Sequence, residues 1–203
     1  MSIEESIKLA KESQDKVNAF VTIFDDAKSE NIGGVLGGVP YSLKDNFSTK
    51  GILTTAGSNI LSNYVPPYDS TVYRKLKESG AVLIGKNTMD ELAMGGTGLT
   101  GHTGITRNPW DTSRIAGGSS CGSAVAVSLG IVPFSIGSDT GDSVRKPASY
   151  TGTVGFKPTY GRISRFGLLP FASSLDHVGI FARNVKDVTK VTDVLKGFDK
   201  YDM

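Results

Sequence analysis

The chain has 203 residues, enough for one domain with a sizeable core. Its 38% apolar and 8% aromatic content excludes a disordered chain, and a net charge of +2, with Arg74-Lys75-Leu76-Lys77 as the densest basic grouping, gives no nucleic-acid or membrane surface. One cysteine (Cys121) and two distant histidines (His102, His177) exclude an internal disulfide and a cysteine-built zinc cluster; with an acidic start, Met1-Ser2-Ile3-Glu4-Glu5, and no span-length apolar run, the expectation is a cytoplasmic protein.

Ser2 followed by Glu5 reads as a capping box that opens a helix through Val17. Residues 18–24 (NAFVTIF) read as a strand, and Gly33-Gly34 to Gly37-Gly38 as a loop. Val39 to Leu43 is a short strand ending at Lys44-Asp45. Asp69-Ser70 caps an amphipathic helix to Gly80, with Val72, Tyr73 and Leu76 inward. Ala81 to Ile84 is a buried strand, and Met89 to Met94 a short helix. Gly122 to Leu129 is small and apolar, a helix packed very close to its neighbours. Strands follow at 131–136 and 152–156, then a helix over 184–196 with Val185, Val188, Val191 and Val194 on one stripe. Alternating strands and helices predict an α/β fold, and the absence of a repeat or linker predicts one domain over 1–203.

The 25 glycines concentrate between Gly95 and Gly161, where tight turns and close backbone approach are needed. Three segments there and upstream place hydroxyls or an amine in glycine-rich bends: Gly38-Val39-Pro40-Tyr41-Ser42-Leu43-Lys44-Asp45, Gly117-Gly118-Ser119-Ser120-Cys121-Gly122-Ser123-Ala124, and Gly137-Ser138-Asp139-Thr140-Gly141-Asp142-Ser143-Val144-Arg145. A serine hydroxyl is a poor nucleophile without an adjacent base. Without a well-placed histidine, a lysine serves if it is neutral. Moving it from about 10.4 to about 7–8 takes roughly 4 kcal/mol of desolvation or like-charge influence. A second serine between lysine and nucleophile carries the proton over two short hydrogen bonds, and a tight glycine turn presents N–H groups to an oxyanion.

These three segments resemble the amidase-signature family, with its GVPxxxKD, GGSSGGSA and GSDTGGSIR motifs. The spacings agree too: 75 residues from Lys44 to Ser119 and 24 from Ser119 to Ser143. The resemblance implies that Ser143 is the nucleophile, Ser119 the bridging serine after a cis peptide, and Lys44 the base. It makes the backbone N–H groups of Thr140, Gly141, Asp142 and Ser143 the oxyanion hole, with Asp139 and Arg145 supporting it. It also implies a mixed β-sheet flanked by helices, an amidase-signature core lacking its C-terminal part, with one sheet edge open.

The stretches Thr88–Gly95, Thr106–Asp111, Phe156–Arg162 and Ala172–Asp176 narrow the resemblance to the family's glutamine-hydrolysing branch, which serves tRNA-dependent amidotransferases. That branch implies glutamine hydrolysis, with ammonia passed to a partner that converts Glu-tRNA(Gln) to Gln-tRNA(Gln). The B and C components of the amidotransferase would be the partners, tRNA would be met only through them, ATP and magnesium would sit on the partner, and this chain would need no cofactor or metal. The alternatives are a general small-amide hydrolase, or a truncated or degenerate non-catalytic fragment. Two departures favour the fragment: Asp142 and Cys121 stand where the family has glycine. A carboxylate at 142 opposes negative charge in the oxyanion hole and adds strain if the backbone there is left-handed.

Other chemistries compete for the same residues. Gly118-Ser119-Ser120-Cys121-Gly122 fits a nucleophile elbow with Ser120 and His177, but the preceding 111–117 is polar instead of strand-like. A Cys121–Lys44–Glu91 triad is conceivable because thiolate is the better nucleophile. No G-K-[ST] follows the glycines, so a phosphate loop is excluded.

Overall fold

A computed structural model describes residues 1–202. Helix α1 (Ile3–Val17) carries the expected capping box: Ser2 Oγ accepts from Glu5 N–H, and the Ser2 amide donates to Glu5 Oε2 in return. Asn18 ends the helix in the left-handed region (φ 49°) and turns the chain into β1 (Phe20–Ile23). Strands β2 (Pro40–Lys44) and β3 (Val82–Asn87) flank α2 (Thr71–Glu78), whose cap is Ser70. After a 3₁₀ turn at Glu91–Ala93 come α3 (Cys121–Ser128), β4 (Phe134–Asp139), α4 (Arg145–Thr151), β5 (Val154–Phe156), β6 (His177–Ala182) and α5 (Val185–Leu195).

The six strands form one mixed sheet in the order β1-β3-β2-β4-β6-β5. The three central strands β3, β2 and β4 are parallel, and β1, β6 and β5 join antiparallel. The α/β class and the mixed sheet flanked by helices are therefore as expected, and β1 and β5 are its edges. One apolar layer joins Tyr41, Leu43, Phe134 and Ile136 to α2 and α5 through Val72, Leu76, Val188, Val191 and Leu195. The opposite layer joins Phe20, Ile84 and Phe181 to α1, α3 and α4.

Several expectations shift. β3 runs three residues past Ile84, to Asn87, and β4 begins at Phe134 and runs to Asp139, so both reach the glycine-rich bends. The stripe of α5 is Val188, Val191, Leu195 and the half-buried Val194, whereas Val185 is exposed beside the cap Asn184. The residues 89–94 make only a 3₁₀ turn, because Leu92 and Ala93 adopt positive φ and stop an α-helix. β6 and α4 have no counterpart in the sequence reading.

Period-two alternation places the chemistry of β2. Tyr41 and Leu43 enter the α2–α5 core, while Ser42 and Lys44 turn to the other side. There Ser42 Oγ meets Ser135 Oγ at 2.9 Å, and Ser135 also bonds Asn87 Oδ1. Gly122 brings α3 onto this layer: a Cβ there would stand 2.3 Å from the Ala19 carbonyl oxygen.

A second lysine, Lys86, is fully buried beside Asp45. Its ammonium donates to the Phe47 carbonyl and Thr54 Oγ1, both at 3.0 Å, and lies 3.4 Å from Asp45 Oδ1. Asp45 Oδ2 accepts from the Thr55 amide and hydroxyl. Removing one partner of such a pair leaves an uncompensated buried charge. We expect Lys86→Met to cost about 3–5 kcal/mol. The double variant Lys86→Met/Asp45→Asn should cost less than Lys86→Met alone. Urea unfolding of both checks this, and a double variant less stable than the single one would contradict it.

Candidate active site

The three glycine-rich segments meet at the C-terminal ends of β2 and β4. Lys44 is the last residue of β2 and is fully buried. Its Nζ lies 2.7 Å from Ser119 Oγ, 2.9 Å from Ser138 Oγ and 3.4 Å from the Ser138 carbonyl oxygen. Asn46 Nδ2 donates to the same Ser138 hydroxyl at 3.0 Å and holds it in place. Burial drives the Lys44 pKa down to about 7, against the opposing pull of Asp90, Asp139 and Asp176. From 10.5, that is a preference for the neutral amine on the order of 5 kcal/mol. The three oxygens around Nζ equal the three hydrogens of an ammonium, so a proton taken up here is fully hydrogen-bonded.

Ser119 is positioned by Asp90. The Gly118–Ser119 peptide is cis, and the Ser119 carbonyl accepts from the Asp90 amide at 3.2 Å. The Asp90 carboxylate collects the N–H groups of Thr97, Gly98, Leu99 and Thr100 and the Thr100 hydroxyl. Burial raises its pKa, but these donors outweigh it and the net shift is downward. A Cβ at Gly118 would fall 2.0 Å from Asp90 Oδ2, so only glycine lets this carboxylate pack under Ser119.

Ser143 lies between β4 and α4. Its carbonyl accepts from the Ser120 amide at 3.2 Å, which places the two serine segments side by side. Among the described residues, no hydrogen bond joins the Ser143 hydroxyl to Ser119 Oγ, so only the Lys44 link of the expected chain is made. Asp139 closes the bend around Ser143. Its Oδ2 accepts from the Val144 and Arg145 amides, and its carboxylate pairs with the Arg145 guanidinium at 3.0 Å. Burial again pushes the Asp139 pKa up, and Arg145 with the two amides brings it below its ordinary value. The backbone N–H groups of Thr140, Gly141, Asp142 and Ser143 make no hydrogen bond within the described residues. These four residues line a cleft of about 260 Å³ with Ala93, Met94, Gly95, Gly96, Lys146 and Phe171.

The two departures behave differently from what their positions alone imply. Asp142 is not left-handed, and its carboxylate pairs with Lys146 at 2.7 Å. The strain of a left-handed backbone is therefore absent, and a lysine in the first turn of α4 pairs with the charge. Cys121 starts α3 with its thiol buried against the Thr88 carbonyl, and burial pushes its pKa up to about 11. Glu91, assigned beside it in the thiol reading, instead accepts from Ser58. Ser120 donates to the Ser138 carbonyl, and His177 Nδ1 sits 2.6 Å from the Leu175 carbonyl, so the elbow reading also loses its pair.

Sequence reasoning missed four residues here: Asn46, Asp90, Ser138 and Asp176. Asn46 follows the lysine motif directly and Ser138 lies inside the third motif, so adjacency was the available signal. Among the described residues, no group of three His, Cys, Asp or Glu side chains is placed to hold a metal ion. No helix among them is long and apolar enough to cross a membrane.

A lysine closes a parallel strand and two serines stand in the glycine-rich bends beside it; the chain belongs to the amidase family, whose profile matches residues 2–203. Its relatives include the A component of glutamyl-tRNA(Gln) amidotransferase from Lactobacillus gasseri, 49% identical over 98% of this chain and 42% of the relative. The component of the same name from Mycoplasma pneumoniae is 58% identical over 82% of this chain and 35% of its own. The crystal structure of the Thermotoga maritima counterpart superposes with a TM-score of 0.93 at 42% identity, over 100% of this chain and 48% of that one. A 6-aminohexanoate cyclic dimer hydrolase superposes at 0.89 with 33% identity, over 99% and 44%. The chain thus spans somewhat less than half the length of these relatives.

The Cys121 environment gives a direct expectation. A buried thiol with so high a pKa reacts poorly. Iodoacetamide at neutral pH should leave the native chain unlabelled and modify Cys121 only in denaturant, as mass spectrometry reads. Rapid labelling of the native chain would contradict this burial.

Proposed function

We propose that this chain cleaves carboxamide C–N bonds through an acyl-enzyme on Ser143, with Lys44 as base and Ser119 as proton relay. The observation that carries the reading is the buried Lys44 amine, 2.7 Å from Ser119 Oγ with a pKa of about 7. In the first step Ser143 Oγ attacks the amide carbon. Its proton passes to Ser119, whose own proton passes to Lys44 Nζ. This requires Ser143 to rotate its hydroxyl toward Ser119. The unpaired N–H groups of Thr140 to Ser143 receive the oxyanion. Collapse breaks the C–N bond, and the proton returns through Ser119 to the leaving nitrogen. Water then attacks the ester by the same route and frees the acid.

We further propose glutamine as the physiological amide, with the chain acting as the A component of a cytoplasmic tRNA-dependent amidotransferase. The support is the name shared by the relatives at 49% and 58% identity. In that assembly the B and C components are the partners, tRNA contacts lie on them, and ATP and magnesium serve the partner's step. The test is ammonia release from glutamine and from simple amides, by the chain alone and with those partners, with Ser143→Ala as control. Amide release that favours simple amides over glutamine would place the chain among general amidases. No ammonia from any amide, alone or with partners, would overturn the reading and favour a non-catalytic fragment.

The pH profile carries its own expectation. Lys44 accepts a proton only when neutral, so activity is lost as pH falls through its pKa. The acid limb of kcat/KM should lie near pH 7 and reach a plateau above it. A profile flat from pH 5 to 8 would remove Lys44 as the base.

Asp142 supplies the last expectation for this site. With its charge held by Lys146 and its backbone unstrained, Asp142→Gly should change the hydrolytic rate by less than about 10-fold, well under the cost of losing an oxyanion donor. A rise of about 100-fold or more in the variant would show that the carboxylate opposes the oxyanion after all.

A further inference from the structure

We propose that Asp176 is a positioning residue for amide cleavage: through Thr140 it fixes the segment whose unpaired N–H groups lie beside the cleft. This rests on the amidase reading above and adds to it a residue outside the three motifs.

The register of β4 and β6 generates the contact. Asp139 pairs with His177 at the end of that antiparallel ladder, so Thr140 and Asp176 are the next pair outward. No backbone hydrogen bond continues the ladder between them; the Asp176 amide bonds Ala172 instead. The side chains take over. Thr140 Oγ1 donates to Asp176 Oδ1 at 2.5 Å. The other oxygen, Oδ2, accepts from the Phe171 and Ala172 amides, both at 3.0 Å. The carboxylate is buried, and hydrogen bonds to a buried charged acceptor are among the stronger ones.

The position of this clamp matters for the oxyanion segment. Asp139 holds the far end of the bend, at Val144 and Arg145. The Arg145 guanidinium also donates to the Gly141 carbonyl, while the Thr140 side chain, which bonds nothing else among the described residues, is held by Asp176. The same carboxylate holds the Phe171 amide, and Phe171 also lines the cleft. One side chain thus holds two of the segments that line one site. Misplacement of reacting groups by even an ångström is costly to rate, so a clamp at this point acts on kcat and not on substrate binding. The Asp176 charge also reaches Lys44 and, with Asp90 and Asp139, holds its pKa up against burial.

Three variants of the 203-residue chain test this: Thr140→Val, Thr140→Ser and Asp176→Asn. Thr140→Val should lower kcat for glutamine or a simple amide by about 10-fold or more, less than outright loss of an oxyanion donor, with KM within about twofold. Thr140→Ser keeps the hydroxyl and should stay within about twofold of the wild-type kcat. Asp176→Asn removes the charge, which leaves a protonated Lys44 less stabilised. Its acid limb should move to lower pH, a shift that loss of packing alone does not produce. Hydrogen exchange at the Phe171 and Ala172 amides, which donate to Asp176 Oδ2, reads the clamp without any activity. It should be faster in Thr140→Val and restored in Thr140→Ser. Unchanged exchange in Thr140→Val, or faster exchange with unchanged kcat, would overturn the proposal, as would a Thr140→Ser no better than Thr140→Val. A wild-type chain without activity would count against the amidase reading, and the exchange of Thr140→Val would then decide the clamp alone.

Discussion

Burial of the Lys44 amine at the end of β2 is the constraint around which the site is arranged. An ammonium there has lost its water and has no carboxylate in contact; it finds only two hydroxyls and a carbonyl. Those partners suit both protonation states, but they do not repay desolvation of a full charge, and the pKa falls to about 7. The parallel pairing of β2 with β4 makes this possible. It brings the β4 end, with Ser138, to the lysine, while α3 packs against both strands and Lys44 has no exposed surface.

Around that amine, carboxylates are kept near but out of contact. Asp90 is occupied by backbone amides of the 97–100 loop, Asp139 by Arg145 and the start of α4, and Asp176 by Thr140 and the 171–172 amides. Each is consumed in shaping a loop. Their fields still favour the Lys44 cation, which tempers the effect of burial and leaves the amine poised near neutrality. A carboxylate in direct contact would keep the lysine protonated, and a site without these charges would lower its pKa further. The loops that shape the cleft and the charges that set the base are thus the same side chains.

The sequence made some of this legible. Lys44, Ser119 and Ser143 stand in long motifs whose glycines have physical work: Gly118 leaves room for Asp90, and Gly122 lets α3 approach β1. Helix α1 was readable from its capping box because that signal is local. β6, HVGIFA, is buried on both faces and so shows an apolar run without alternation; its signal was present but weak beside a polar loop. α4 is seven residues long with Pro147 in its first turn, too short for a helical period to appear. The supporting residues were hidden for a different reason. Ser138 meets Asn46 across 92 positions, and Asp176 meets Thr140 across 36, so their roles exist only once the sheet has assembled.

The two buried lysines show why burial alone does not make a base. Lys86 and Lys44 sit on neighbouring strands, β3 and β2, and both are fully enclosed. Both suffer desolvation, and in both it is the leading influence on the pKa. Lys86, however, has Asp45 within 3.4 Å and gives its hydrogens to a carbonyl and a threonine hydroxyl that have no reacting partner. A counter-ion stands beside it, although burial still lowers the Lys86 pKa and raises that of Asp45, and the pair ties the 45–55 segment to the sheet. Lys44 lacks that counter-ion and has instead the hydroxyl of Ser119, which can give up a proton. What separates a structural ammonium from a candidate base here is one carboxylate: present one residue beyond Lys44 in the chain, it turns to Thr55 and Lys86 and leaves Lys44 uncompensated.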